Sequence, residues 1–362
     1  MSRSIMDIAA QVQGPDKTAS KAAAAYLDSL TKPPGSLGKL ETLAVKLAGI
    51  TGEIKPSFPG RGVVVMAADH GVCEEGISAF PAEVTPQMVH NFLSGGAAVN
   101  VLSRQAGAEV MCVDVGVNAE LRHPGLISRK VRYGTANMAK GPAMSREEAE
   151  AAILAGIEVV EEAVARGIKC FVTGEMGIGN TTASAAIMSA LTGISSLETV
   201  GRGTGINDER LRQKVLIVER ALETNRPDAS DAVDVLAKVG GLEIAGLTGV
   251  ILGAAANRCP VILDGFISGA AALAAVRIAP DSIHYMIASH VSQEQGHVYL
   301  LKELGLEPML YLDMRLGEGT GGVLALHLID AACRIMAEMA TFESAGVSSG
   351  TDGTKPAGKA HS

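Results

Sequence analysis

The chain has 362 residues, with 31 Lys or Arg against 39 Asp or Glu, 42 Gly, no Trp and only 3% aromatic residues. Its length permits one large domain, or a large one with a small companion, around a substantial aliphatic core. A formal net charge of −8, the lack of any Lys/Arg stripe and the shortage of stacking aromatics argue against nucleic acid as a partner.

The N-terminus, Met1-Ser-Arg-Ser-Ile-Met-Asp7, has no uninterrupted apolar stretch like that of a signal peptide. The most apolar uncharged segment, about residues 245–256, is shorter than the roughly 20 residues that a spanning helix requires. A cytoplasmic protein without a membrane partner is therefore expected. Residues 4–30 and 36–50 have helical periodicity, broken by Lys32-Pro-Pro-Gly-Ser36. Six short apolar runs follow, at 62–68, 109–115, 168–173, 261–264, 283–288 and 309–313. They read as buried parallel strands, with helix-like segments between most of them. That alternation predicts a doubly wound α/β sheet of about six strands. A helix is expected from about residue 323 to 344. It should pack with residues 1–56 as a small helical domain beside a large domain spanning 57–322, and the Gly/Ser/Pro-rich segment 345–362 reads as a disordered tail. Five cysteines without a Cys-x-x-Cys pair, Cys73, Cys112, Cys170, Cys259 and Cys333, read as reduced and buried.

The turns after the strands are rich in functional residue types, above all Glu175 in Thr173-Gly-Glu-Met-Gly-Ile-Gly-Asn-Thr-Thr182 and Glu318 in Arg315-Leu-Gly-Glu-Gly-Thr-Gly-Gly322. Glycines admit a ligand to the backbone, bare helix N-termini attract phosphate, and a carboxylate there can take a proton from a nucleophile. A lone Glu in such a turn serves equally well as a complement to the helix dipole; two such turns favour a site. Asn180 and Thr181 begin the helix after the first turn. Lys214 lies on a charged helix, where a lysine is ordinarily solvated, but its nearness to Gly201-Arg-Gly-Thr-Gly205 gives it a possible phosphate role. Gly35-Ser-Leu-Gly-Lys39 fails as a P-loop, because Pro33 and Leu40 stand at required positions. Gly201-Arg-Gly-Thr-Gly205 lacks the last glycine of a dinucleotide fingerprint, which weakens a nicotinamide-dependent oxidoreductase. A non-catalytic nucleotide sensor is disfavoured by the two glycine-flanked acids. His290 and His297 are seven apart and Asp69-His70 are adjacent, so no metal site is assigned. Asp69 and His70 read as a strand end that ties down a neighbouring loop.

Lys32-Pro-Pro-Gly-Ser-Leu-Gly-Lys-Leu-Glu41, Met66-Ala-Ala-Asp-His-Gly71, Gly174-Glu-Met-Gly-Ile-Gly-Asn-Thr-Thr182, Leu236-Ala-Lys-Val-Gly-Gly241, Leu263-Asp-Gly-Phe266 and Met314-Arg-Leu-Gly-Glu-Gly-Thr-Gly321 occur in this order. With these motifs the chain resembles the nicotinate-nucleotide:5,6-dimethylbenzimidazole phosphoribosyltransferase family over nearly its whole length. The resemblance implies transfer of phosphoribose from nicotinate mononucleotide to dimethylbenzimidazole, giving nicotinate and α-ribazole 5′-phosphate for the lower ligand of cobalamin, with no cofactor. It also implies Glu318 as general base with inversion at C1, and Glu175 as its support or replacement. The nucleotide phosphate would lie near Gly177, Lys214 and Ser292, and the ribose near Asp264 and Gly265. Phe80, Gln87, Met88 and the backbone around Leu316 would form the base pocket. Some relatives carry smaller or more polar residues at the positions of Phe80 and Met88, so preference among bases is left open. A homodimer is implied as well.

Overall fold

The computed structural model describes residues 3–203 and 205–348. Six strands, β1 Arg61–Ala68, β2 Glu109–Gly116, β3 Ile127–Ser128, β4 Cys170–Met176, β5 Val261–Leu263 and β6 Met286–Ala288, form one parallel sheet in the order β3-β2-β1-β4-β5-β6. The order reverses between β1 and β4, and a crevice opens there at the carboxyl ends of the strands. Both faces of the sheet are covered. Val64 and Met66 point into one core while Val63, Val65 and Ala67 point into the other, which is why the strands are apolar throughout rather than alternating.

The helices along the chain are α1 Ile5–Ala9, α2 Lys17–Ser29, α3 Lys39–Thr51, α4 Val84–Leu93, α5 Ala98–Ala106, α6 Arg146–Ala165, α7 Asn180–Thr192 and α8 Ser196–Thr199. They continue as α9 Asp208–Asn225, α10 Ala232–Val239, α11 Leu242–Ala256, α12 Phe266–Ile278, α13 Gln295–Leu304, α14 Thr320–Glu338 and α15 Phe342–Ala345. One face of the sheet is covered by α11, itself packed on α6 and α12. A methyl group on Gly156 of α6 would lie 1.9 Å from the Gly246 carbonyl oxygen of α11, so the two backbones touch. On the other face sits α14, against α3 and α5. This helix is long and apolar enough by composition to cross a bilayer, but its buried side, including Val323, Leu326, Ile329 and Met336, belongs to the second core.

Four expectations need correction. The sixth strand of the main sheet is β3, only two residues long and too short for any periodicity to reveal. The run at 309–313 instead supplies β8 Leu310–Tyr311, which pairs with β7 His290–Val291 in a separate two-stranded sheet, because the Ser289 carbonyl beyond β6 accepts the Met309 and Leu310 N–H groups. The N-terminal helix is broken between α1 and α2 around Gly14 and Pro15, and the last long helix stops at Glu338, where Met339 turns extended. A bridge between Leu30 and Thr341 ties the following segment back. Leu27 and Leu47 of the N-terminal helices pack with Leu326 of α14, and Val63 and Val65 of β1 belong to the same core. Of the segment read as a tail, Ala345 closes α15 and residues 349–362 lie outside the described residues. All five cysteines are free, and four of them are buried.

Candidate active site

The two glycine-flanked acids meet. Glu175 lies in β4, beside Met66 of β1 at the switch point, and the chain after β8 returns to the same edge to deliver Glu318. The Glu175 carboxylate accepts the side-chain N–H of Asn180 and, at 3.3 Å, the backbone N–H of Glu318. This contact depends on Gly317, where an added methyl group would lie 2.3 Å from Glu175 Oε1. Glu318 itself has φ +64°, a left-handed conformation that non-glycine residues seldom adopt. It directly precedes Gly319, the N-cap of α14.

Asp264 closes the arrangement from the end of β5. Its carboxylate accepts the N–H groups of Gly319 at 3.2 Å, Gly321 at 2.8 Å and Gly322 at 3.0 Å, and so caps α14. Burial pushes the Asp264 carboxyl up, while His290 and these three N–H groups pull it back. Burial and then the Asp264 charge push Glu175 up to about 8, and the same two causes push Glu318 up to about 7 against the pull of the Val99 N–H. Glu318 Oε2 is buried and has no hydrogen-bond partner among the described residues. A cavity of about 110 Å³ borders Glu318 and Glu175, with Asp264, Gly265, Ser292 and Leu316 also in its wall.

A corner formed by the start of α7 and the buried Lys214 adjoins this cavity. After β4 the chain turns through Gly177 and Gly179 into α7, whose first residues are Asn180 and Thr181. Lys214 is not a solvated lysine: the inner face of α9, with Val215, Val218 and Ala221, carries it into the protein, where it is 1% exposed. Its ammonium donates to Thr181 Oγ1 at 2.8 Å and to the Gly201 carbonyl at 3.2 Å. Burial pulls its pKa down to about 8, against the attraction of Glu294. Ser292 is buried, its hydroxyl accepting the Glu294 N–H at 3.3 Å. The Ser292 N–H donates to His297 Nδ1 at 2.9 Å, and burial together with His290 pulls His297 down to about 3.

The residues expected to form the base pocket are divided. Leu316 is exposed beside Glu318 and lines its cavity. Phe80, half exposed, lines a different cavity of about 690 Å³ with His70, Tyr133 and Arg210. Gln87 is exposed on α4, and Met88 packs against the second core. The segment carrying Phe80 leaves the short turn Gly71–Glu75 on the β1 side, whereas Leu316 arrives from β8, which explains the separation.

Behind Gly177 lies a buried pair that sequence reasoning missed. His70 Nε2 is 2.6 Å from Glu243 Oε1, with both side chains almost wholly shielded. Burial pulls the His70 pKa down and Glu243 more than restores it. A methyl group on Gly241 would lie 2.3 Å from His70 Cε1, so the glycine pair before Glu243 was the available signal. Asp69 does act as a strand-end tie, with Oδ2 accepting the Asn118 N–H at 2.7 Å.

A family model described as a phosphoribosyltransferase matches residues 12–347. The nicotinate-nucleotide–dimethylbenzimidazole phosphoribosyltransferase of Chloroflexus aggregans is 58% identical over 334 residues, covering 92% of this chain and 95% of that protein. Its counterpart from Halalkalibacterium halodurans is 59% identical over 323 residues, covering 89% and 90%. Among solved structures, CobT from Thermus thermophilus superposes with a TM-score of 0.89 at 50% identity, covering 92% of this chain and all of that one.

Proposed function

Because the chain belongs to the nicotinate-nucleotide–dimethylbenzimidazole phosphoribosyltransferase family, we propose that it transfers the phosphoribosyl group of nicotinate mononucleotide to 5,6-dimethylbenzimidazole. The products are nicotinate and α-ribazole 5′-phosphate, which serves the lower ligand of cobalamin. The observation that carries the mechanistic part of this reading is the buried Oε2 of Glu318, without a hydrogen-bond partner among the described residues, on a carboxyl pushed up to about 7. A base works best with a pKa near the operating pH.

The chemistry asks little else of the protein. As the C1–N bond of the nucleotide breaks, its electron pair neutralises the pyridinium nitrogen, so the leaving group needs no proton. The lone-pair nitrogen of the benzimidazole forms the new bond to C1 from the opposite face, turning a β-nucleotide into an α-product. That step acidifies the other ring nitrogen, whose proton passes to Glu318. Both Glu175 oxygens are already engaged, by Asn180 and by the Glu318 N–H. Its first task is therefore to fix the Glu318 backbone, and it is the reserve acceptor when Glu318 is replaced. The negative charge of Asp264 and of ionised Glu318 favours the oxocarbenium-like transition state.

Gly177, Asn180 and Thr181 at the start of α7, with Lys214 and Ser292, hold the phosphate in this reading, and Asp264 and Gly265 adjoin the ribose. The base rests on Leu316, and Phe80 joins it when the segment ahead of α4 folds toward Leu316; Gln87 and Met88 follow only when α4 itself moves with that segment. The enzyme acts as a cytoplasmic homodimer by likeness to its family. Incubation with nicotinate mononucleotide and a panel of bases, followed by chromatography of the products, tests the activity. Absence of α-ribazole 5′-phosphate from the dimethylbenzimidazole reaction rejects it.

A further inference from the structure

Glu294 is the N-cap residue of α13 and stands between the Ser292 turn and the glycine loop 201–205. Its side chain has no task in the chemistry above. It is only 6% exposed, and its Oε2 has no hydrogen-bond partner among the described residues. A methyl group on Gly201 would lie 2.0 Å from that oxygen, so the carboxylate rests directly on the backbone of the glycine loop. The carbonyl of the same Gly201 accepts from the buried Lys214 ammonium. Glu294 lines the Glu318 cavity and also a neighbouring cavity of about 420 Å³ that includes Arg202 and Arg315. Burial raises its carboxyl, while attraction from Lys214, the Gly203 N–H and Arg315 lowers it. An incompletely satisfied carboxylate is thus held among cations and backbone donors, in surroundings that suit a phosphate.

We propose that Glu294 stands where the phosphate of the incoming nucleotide binds and is displaced by it, making Glu294 a residue that sets selectivity for a phosphorylated ribose donor. The inference rests on the phosphoribosyl-transfer reading. A buried lysine without a counter-charge is costly, so the Glu294 carboxylate stabilises the Lys214 ammonium. A phosphate supplies the same charge with more acceptor oxygens and takes over Lys214, whereas a donor lacking phosphate leaves Glu294 where it is.

Titration calorimetry on the full chain with nicotinate mononucleotide and with nicotinate riboside, its dephosphorylated counterpart, tests this. Glu294→Gln keeps the shape and removes the competing charge, so the nucleotide should bind roughly tenfold tighter while the riboside is unaffected. Unchanged or weaker nucleotide binding, or an equal shift for both ligands, overturns the inference. A crystal structure of the unaltered protein with nicotinate mononucleotide gives a check that does not depend on the variant folding. The carboxylate should have left Gly201 with the phosphate on Lys214; a phosphate bound there with Glu294 still against Gly201 also overturns the inference. If the unaltered protein binds no nucleotide and forms no product, the activity and this inference fall together. If it binds and turns over while the variant's preference is unchanged, only the role of Glu294 is lost.

Discussion

Glu318 combines a strained backbone, φ +64°, with a carboxyl pushed up to about 7 and a buried oxygen that has no hydrogen-bond partner among the described residues. Glu318→Gln preserves the shape but cannot accept a proton, so turnover should fall by about 10² to 10⁴-fold with little change in nucleotide affinity. Near-wild-type single-turnover rates in that variant would remove Glu318 as the base. Because the base form is the ionised one, kcat/KM should rise with pH and level off above about 7, and a pH–rate profile shows whether that limb is lost in the variant. Glu175 leaves a different signature, in stability. Its carboxyl has an ordinary value of 4.5 and stands at about 8 in the folded protein, so between these values the folded state keeps a proton that the unfolded chain has released. The resulting stabilisation is complete below pH 4.5 and drains away as pH rises through 8. Glu175→Gln titrates in neither state, so its Tm should decline less than that of wild type over this interval. Parallel thermal unfolding curves across that pH range would count against the assignment.

The elements that carry these acids are two turns, and each works only with glycine beside its glutamate. Gly317 has φ +83°, and a methyl group there would strike Glu175 Oε1. Gly317→Ala should therefore cost on the order of 1–3 kcal/mol in urea unfolding, and it should lower turnover by roughly tenfold or more by moving Glu175 off the Glu318 N–H. Gly305, at φ +63° with open space around it, is the control. Alanine there should carry the backbone strain alone and leave turnover intact, and equal losses of turnover at both positions would mean that the Glu175 contact is irrelevant. These turns were legible in the sequence because glycine spacing records a local backbone demand. The burial of Lys214 was not, because a charged sequence on α9 does not say which of its faces is turned inward.

At the scale of the whole molecule, the proposed reaction requires residues from two separate cavities to meet. Phe80 lies half exposed in a cavity apart from the one beside Glu318. If the segment ahead of α4 closes when the base binds, Phe80→Ser removes apolar contact area. It should then raise the KM for dimethylbenzimidazole by roughly tenfold and leave that for the nucleotide nearly unchanged. Initial-rate kinetics with each substrate varied in turn decides this, and unchanged constants exclude Phe80 from the pocket.

By itself the sequence determined the parallel α/β class, five of the six strands of the main sheet and both acidic turns. Apolar runs, helical periodicity and glycine spacing are local consequences of burial and backbone geometry, and they are readable without knowing what lies across the molecule. The tertiary structure alone decided the rest. It set β3 at the sheet edge and paired β8 with β7, since a two-residue strand has no period and an apolar run does not name its partner. It joined Glu175 to the Glu318 backbone, 143 residues apart, and His70 to Glu243, 173 apart. It also turned Asp264 into the cap of α14 and brought Glu294 against the glycine loop. Each of these contacts links strand ends or loops far apart in sequence, and a side chain's partner across such a distance follows from the order in which the strands are laid side by side.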